Sequence, residues 1–404
     1  MALDIAHVRA QFPALQDGFA YFDNAGGSLV LRSVADRISD YLTTTSVQTG
    51  ASYGHSQRAS ARLLEARSKI ARYINAERPE EIVLGPSTTM MMRLLATSMA
   101  SQFSPGDEVI LTVFDHESNI GPWMILKDRG VVFRFWSVDP ESFEIDLDEL
   151  RNLMSERTKL VCVTHASNIL GTINPIAEIA EIAHQGGAKL CVDGVAYAPH
   201  RAVDVQKLGV DYYAFSLYKT YGPHFSVLYG RFENLLELDN LYHHFYGKDK
   251  VPAKLEPGNT NYELAWGSAG IVDYFDELGG GSGDFAAIRR AFDDVATYEA
   301  EIGERLLSYL RQKNGVRIIG SRSSDKAIRV PTIAFKVEGM DSREIVERVD
   351  PDQIGIRFGD FHSRRLIEHL GLSEGSGIVR ASMVHYNTID EVDRLIGSLE
   401  RAMG

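Results

Sequence analysis

Leu190-Cys191-Val192-Asp193-Gly194 is an apolar run that stops on an acid, and one step further on the chain reads Phe215-Ser216-Leu217-Tyr218-Lys219-Thr220-Tyr221-Gly222-Pro223. The first stretch reads as a buried strand ending in Asp-Gly. The second reads as the end of another strand, 212–216, followed by a turn that carries a lysine among aromatics. Working outward, residues 81–84, 109–112, 131–136, 160–164 and 226–229 are further β-branched or apolar runs of strand length, which makes seven strands with 189–192 and 212–216. Amphipathic stretches at 90–99, 146–154 and 176–185 lie between them. This alternation predicts an α/β fold with a mainly parallel sheet covered by helices on both faces. Ligands bind such sheets at the carboxyl ends of the strands. Ser87, Thr88, His116, Asn168, Asp193 and Lys219 all follow predicted strands.

An acid at a strand end and a lysine one β-α-β step later fit a pyridoxal phosphate site. The amine forms a Schiff base with the cofactor aldehyde, and the carboxylate keeps the pyridine nitrogen protonated, so the ring accepts electrons from a carbanion. Alone, Lys219 reads more often as a surface lysine and Asp193 as a helix cap. Together, on this strand pattern, they carry the cofactor reading. Gly85-Pro86-Ser87-Thr88-Thr89 joins a strand to a helix, where backbone N–H groups and hydroxyls suit a phosphate; a plain Ser/Thr cap explains it as well. Ser216 adds a donor. His116 can stack on the cofactor ring and relay protons.

The chain has 404 residues, 44% hydrophobic and 24% charged, too many for one compact core. A boundary is expected at Gly279-Gly280-Gly281-Ser282-Gly283, read as a flexible connection because no strand precedes it closely. The expected organisation is an N-terminal segment, 1–20, packing with the small domain; a large cofactor-binding domain, 21–283; and a smaller α+β domain, 284–404. The last would hold strands near 332–337, 355–358 and 378–382, and helices near 285–313, 342–349 and 388–401. A formal charge of −13 argues against a nucleic-acid partner. Cys162 and Cys191 sit mid-strand as buried hydrophobes, without disulfide or zinc spacing, which favours a reducing cytoplasm. No secretory signal and no apolar run of membrane-spanning length is read. His243-His244 lacks acidic or Cys partners at ligand spacing, so no metal is expected, and an aromatic loop at the mouth of the site is preferred. Tyr53 and His55 are candidates for the same mouth.

Over nearly its whole length the chain resembles the class V aminotransferase superfamily of fold-type I pyridoxal phosphate enzymes, and within it the cysteine desulfurase and selenocysteine lyase branch. The segments that carry the likeness are Tyr21-Phe22-Asp23-Asn24-Ala25-Gly26, the Ser87-Thr88-Thr89 turn, residues 115–123, Thr164-His165-Ala166-Ser167-Asn168-Ile169-Leu170-Gly171, Val192-Asp193-Gly194, residues 215–223, Glu256-Pro257-Gly258-Asn259, Arg380-Ala381-Ser382 and Tyr386-Asn387-Thr388. The resemblance implies that Lys219 is the Schiff-base lysine, Asp193 the pyridine partner and His116 the stacking imidazole. It implies that Thr88 and Ser216 hold the phosphate and that Asn168 lies near the ring hydroxyl and substrate. Arg380 would clamp the α-carboxylate of a small amino-acid substrate. Gly258-Asn259-Thr260 would reach the phosphate of the neighbouring subunit's cofactor, which implies a homodimer with shared sites.

Three departures bear on the reaction. Desulfurases carry a nucleophilic Cys on a loop after an Arg-x-Gly motif; here the loop reads Arg357-Phe358-Gly359-Asp360-Phe361-His362-Ser363. Asp360 and His362 are either an acid/base pair or polar residues on a mobile loop. Family members commonly place Gln or His three residues after the Asp, to bond the ring hydroxyl; here it is Ala196, so either Asn168 or Tyr197 compensates or that bond is missing. Tyr218 stands where desulfurases have a phosphate-binding His, and a phenol can still donate. The expected function is therefore an aminotransferase or β-elimination lyase working through a Cα carbanion, not a true cysteine desulfurase. An epimerase and a catalytically silent homologue are the alternatives.

Overall fold

The computed structural model describes residues 3–404. Its centre is a seven-stranded sheet built from β1 (Ile82–Gly85), β2 (Glu108–Thr112), β3 (Val132–Trp136), β4 (Thr158–Thr164), β5 (Lys189–Asp193), β6 (Tyr212–Ser216) and β7 (Ser226–Gly230), in the spatial order β1-β7-β6-β5-β4-β2-β3. β7 runs antiparallel to both its neighbours, and the other pairings are parallel. Side chains alternate between faces with period two. Val161 and Val163 enter the core on one face, and Leu160 and Cys162 the core on the other. Cys162 and Cys191 are register partners on neighbouring strands, both free and fully buried.

Helices Arg32–Thr44, Gly54–Tyr73 and Tyr262–Leu278 pack together over the face of the larger core, and Thr88–Met99 covers the other. A second sheet of four antiparallel strands contains β8 (Val316–Ile319), β9 (Thr332–Val337), β10 (Arg357–Gly359) and β11 (Ile378–Ser382), in the order β10-β11-β9-β8. Helices Ser342–Val349 and Ile389–Met403 belong to its core. The 28-residue helix Phe285–Gln312 enters both cores: Ile288, Phe292 and Val295 pack in the larger, Ile302, Leu306 and Leu310 in the smaller.

The N-terminal segment also touches both. Val8, Phe12 and Leu15 lie in the larger core, while Arg9 pairs with Glu391 at 2.9 Å. Ala20–Tyr21 forms a parallel ladder with Ile354–Gly355. The glycine-rich stretch connects two packed helices and is hydrogen-bonded in place, with Gly281 N–H donating to the Asp276 carbonyl at 2.8 Å and Gly283 N–H to the Asp276 carboxylate at 2.9 Å. Among the described residues no helix is long and apolar enough to cross a membrane.

Candidate active site

The carboxyl ends of β1, β2, β4, β5 and β6 surround a cavity walled by Ser87, Thr88, His116, Asn168, Asp193, Ser216, Tyr218 and Lys219. These are eight of the eleven residues singled out from the sequence. Asn259 and Thr260 lie elsewhere in this chain, beside Gly85-Pro86 and His224. Arg380 stands next to the cavity on β11, close enough for its charge to act on Lys219 and His116.

Each position has a local cause. Ser87 is the N-cap of helix Thr88–Met99 and accepts from Met90 N–H at 3.2 Å, so the capping reading of this turn holds for Ser87. Thr88 is free of that task. Its hydroxyl lies 2.7 Å from Ser216 and 3.4 Å from Ser226, at the positive end of the helix. Three buried hydroxyls at a helix N-terminus form an anion cradle. Tyr218 stands beside Ser216, and its ring stacks on His224 at 4.9 Å. The lysine turn is held from outside: Ser28 N–H donates to the Tyr218 carbonyl at 3.0 Å, and Tyr221 N–H donates to Ser28 Oγ at 2.7 Å.

Burial lowers the Lys219 amine to about 8, with help from Arg380 and against the pull of Asp193. An amine so tuned gives up its proton far more readily than a surface lysine. Burial raises Asp193 above the usual carboxylate range, opposed by Val195 N–H at 2.9 Å, the Lys219 charge and Ser118. A cation placed against this carboxylate would offset its desolvation. His116 is pushed down to about 3 by burial and by the nearby Lys219, His362 and Arg380 charges. It is a neutral ring throughout the physiological range. Its Nδ1 lies 2.8 Å from Ser118 Oγ, which in turn donates to Asp193 Oδ2 at 3.3 Å.

An acidic group buried with few donors, a neutral imidazole, a depressed lysine and a hydroxyl cradle at the far end match the four parts of pyridoxal phosphate: ring nitrogen, ring face, aldehyde and phosphate. The residues present fit that cofactor.

The loop 359–363 closes the other side. Phe361 and His362 both adopt left-handed backbone conformations, φ 52° and 57°, which is costly for bulky residues. The conformation is held from two directions. Glu117 N–H donates to the His362 carbonyl at 2.8 Å, and the Asn168 amide donates to the Phe361 carbonyl at 3.0 Å while accepting from Ser363 Oγ at 2.9 Å. Both ends of the Asn168 side chain are thus engaged by the loop. The His362 ring sits 5.4 Å from His116, whereas Asp360 accepts from the His362 backbone N–H at 3.1 Å, a local turn contact. Ala196 lines the cavity, and Tyr197 stacks on His165 at 3.4 Å instead of standing in for the absent Gln or His. Tyr242, His243 and Phe245 stack on one another.

Sequence reasoning missed Ser118, Thr164 and Ser226, all hydroxyl residues at this end of the sheet, and Asp23, which pairs with Arg380 at 2.9 Å. Ser226 was hidden by the antiparallel entry of β7. Asp23 comes from a segment hundreds of residues away in sequence.

A family model described as Aminotransferase class-V matches residues 20–395. The chain is 45% identical over 411 aligned positions to the Aminotransferase-like protein FGM3 of Gibberella zeae, covering 100% of this chain and 99% of that one. It is 33% identical to the Cysteine desulfurase-like protein ustD of Aspergillus flavus, covering 98% and 90%. Among solved structures, the apo cysteine desulfurase from Thermococcus onnurineus NA1 superposes with a TM-score of 0.89 at 27% identity, covering 99% and 98%. The expected fold class and family are both borne out: this chain belongs to the class V aminotransferase family of pyridoxal phosphate-dependent enzymes.

Proposed function

We propose that the protein is an aminotransferase or β-elimination lyase for a small amino acid, working through a Cα carbanion, and that it is not a cysteine desulfurase. The observation that carries this reading is that a half-buried Lys219 and a buried Asp193 open into one cavity, while the loop over it offers imidazole, carboxylate and hydroxyl but no thiol. A desulfurase needs a thiolate to attack the substrate sulfur. Cys162 and Cys191 are locked in the sheet, and burial raises the Cys162 thiol well above its ordinary value.

Pyridoxal phosphate supplies a covalent handle for the amino group and an electron sink for the carbanion. The chain's own residues do the rest. Lys219 would hold the aldehyde and move the proton at Cα. Asp193 would keep the ring nitrogen protonated, and a neutral His116 would lie against the ring without competing for that proton. Ser87, Thr88, Ser216 and Tyr218 would hold the phosphate. Asn168 ties the loop 359–363 to the site. Arg380 receives the substrate α-carboxylate.

In the same proposal the enzyme is a homodimer whose partner reaches across with Asn259 and Thr260. Two facts support it. Both residues lie outside their own chain's cavity, and the Thr260 hydroxyl is buried with no hydrogen-bond partner among the described residues.

The test is a screen of amino acids that follows the cofactor spectrum and the released products together. Transamination gives a keto acid and an aminated cofactor; elimination gives pyruvate and ammonia. Rapid sulfide release from cysteine with a persulfide on Cys162 or Cys191 would overturn the reading.

A further inference from the structure

Arg357 and Arg380 are directly opposed across the antiparallel pair β10–β11. Side chains directly opposite one another on paired strands project to the same face and lie close together. Two like charges so placed repel, and sheets avoid the arrangement unless something between them compensates. Here one carboxylate does so: Asp23 accepts from Arg380 Nη2 at 2.9 Å through Oδ1 and lies 3.5 Å from Arg357 Nη1 through Oδ2. One anion between two guanidiniums leaves a cationic excess, in a protein whose overall charge is −13.

The two arginines are not equivalent. Arg380 is buried, stacked on the Phe361 ring at 3.9 Å and bonded to the Asn168 carbonyl at 3.2 Å, and its Nε is buried without a partner among the described residues. The Arg357 side chain is 57% exposed, and among the described residues its single polar contact is the long one to Asp23. A guanidinium presents five donors, so most of those on Arg357 are unused. Asn168, whose carbonyl Arg380 holds, lines the cavity, so the arginine pair stands at the cavity's edge.

We propose that the substrate is an amino acid with an acidic side chain, its α-carboxylate on Arg380 and its distal acid group on Arg357. The inference rests on the amino-acid reading of the site given above and deepens it. Two anionic groups on one small molecule answer two guanidiniums that share one protein carboxylate. A guanidinium binds a carboxylate in a charge-assisted, often bidentate geometry that a neutral amide cannot match. His362 stands near the same side, beside His116.

The test compares the neutral and charged members of two isosteric pairs on the holoenzyme: aspartate against asparagine, and glutamate against glutamine. Binding is read by calorimetry and by the change in visible absorption, in the wild type, Arg357→Gln and Arg357→Lys. The wild type should favour at least one acid over its amide by about ten- to a hundredfold, the range of one charge-assisted contact. Arg357→Gln should lose that preference while binding the amide unchanged, and Arg357→Lys should recover part of it. A wild type that does not discriminate, or an Arg357→Gln that keeps the preference, overturns the proposal. In either of those cases a yellow holoenzyme that responds to neutral amino acids leaves the broader functional reading standing. A protein that binds no cofactor would defeat both.

Discussion

Lys219 is expensive to bury as a cation. With its amine lowered from 10.5 to about 8, the folded apoprotein binds fewer protons than the unfolded chain between those values, so its stability rises with pH across that window. At about 1.4 kcal/mol per unit, the penalty at neutral pH is a few kcal/mol. Lys219→Met should therefore make the apoprotein more heat-stable at pH 7, with the difference shrinking as pH rises toward 10.5. Thermal melts of the two apoproteins across that range check the sign; a variant less stable at pH 7 would mean the lysine is not buried as a cation. Asp193→Ala should keep the lysine linkage but slow carbanion chemistry by several orders of magnitude, because electrostatic stabilisation of developing charge is lost. Single-turnover proton exchange at Cα measures that step alone. Arg380→Ala should raise KM about ten- to a hundredfold with cofactor affinity retained, the cost of one charge-assisted bond; an unchanged KM would place the carboxylate elsewhere.

At the scale of elements, strand ends place the chemistry, and they are what a sequence shows best. The predicted strand at 160–164 lies within β4, and 212–216 coincides with β6, because continuous apolar runs bounded by turns have few other readings. Helix Gly54–Tyr73 was not read. Ile70 and Tyr73 are its only large buried apolar side chains and fall in the last turn; the rest of its buried face is Ser56, Ala59, Ala66, Ala71 and even Arg67, which pairs with Glu256 at 2.9 Å, so most of its length lacks the large apolar stripe that announces a helix. β8 escaped because it is four residues long with an exposed arginine. The Asp-Gly pair after β5 has a packing reason that only the structure gives. A Cβ on Gly194 would lie 2.1 Å from the Tyr213 ring, whose hydroxyl is tied to His165 at 2.9 Å. Gly194→Ala should cost about 1–3 kcal/mol through overpacking and displace Asp193 with it. Urea unfolding gives the first quantity and cofactor affinity the second; a variant neutral in both would mean that Tyr213 moves aside freely.

At the scale of the molecule, the site is assembled from both ends of the chain. Asp23, Lys219 and Arg380 meet only because the N-terminal segment and the second sheet pack against the first. Pairings of that range leave no periodic trace in a sequence, which is why the role of Asp23 was not legible while those of Lys219 and Asp193 were. The shared-site proposal makes its own prediction. Lys219→Ala and Thr260→Ala should each lower activity, and mixed dimers of the two should regain part of it, since one site then carries both lesions and the other neither. Equal activity before and after subunit exchange would contradict shared sites. The account as a whole stands on the lysine. Borohydride reduction of the native holoenzyme followed by peptide mass spectrometry should bleach the visible absorption and place the reduced cofactor on Lys219; a cofactor mapped to any other lysine, or none retained, would contradict it.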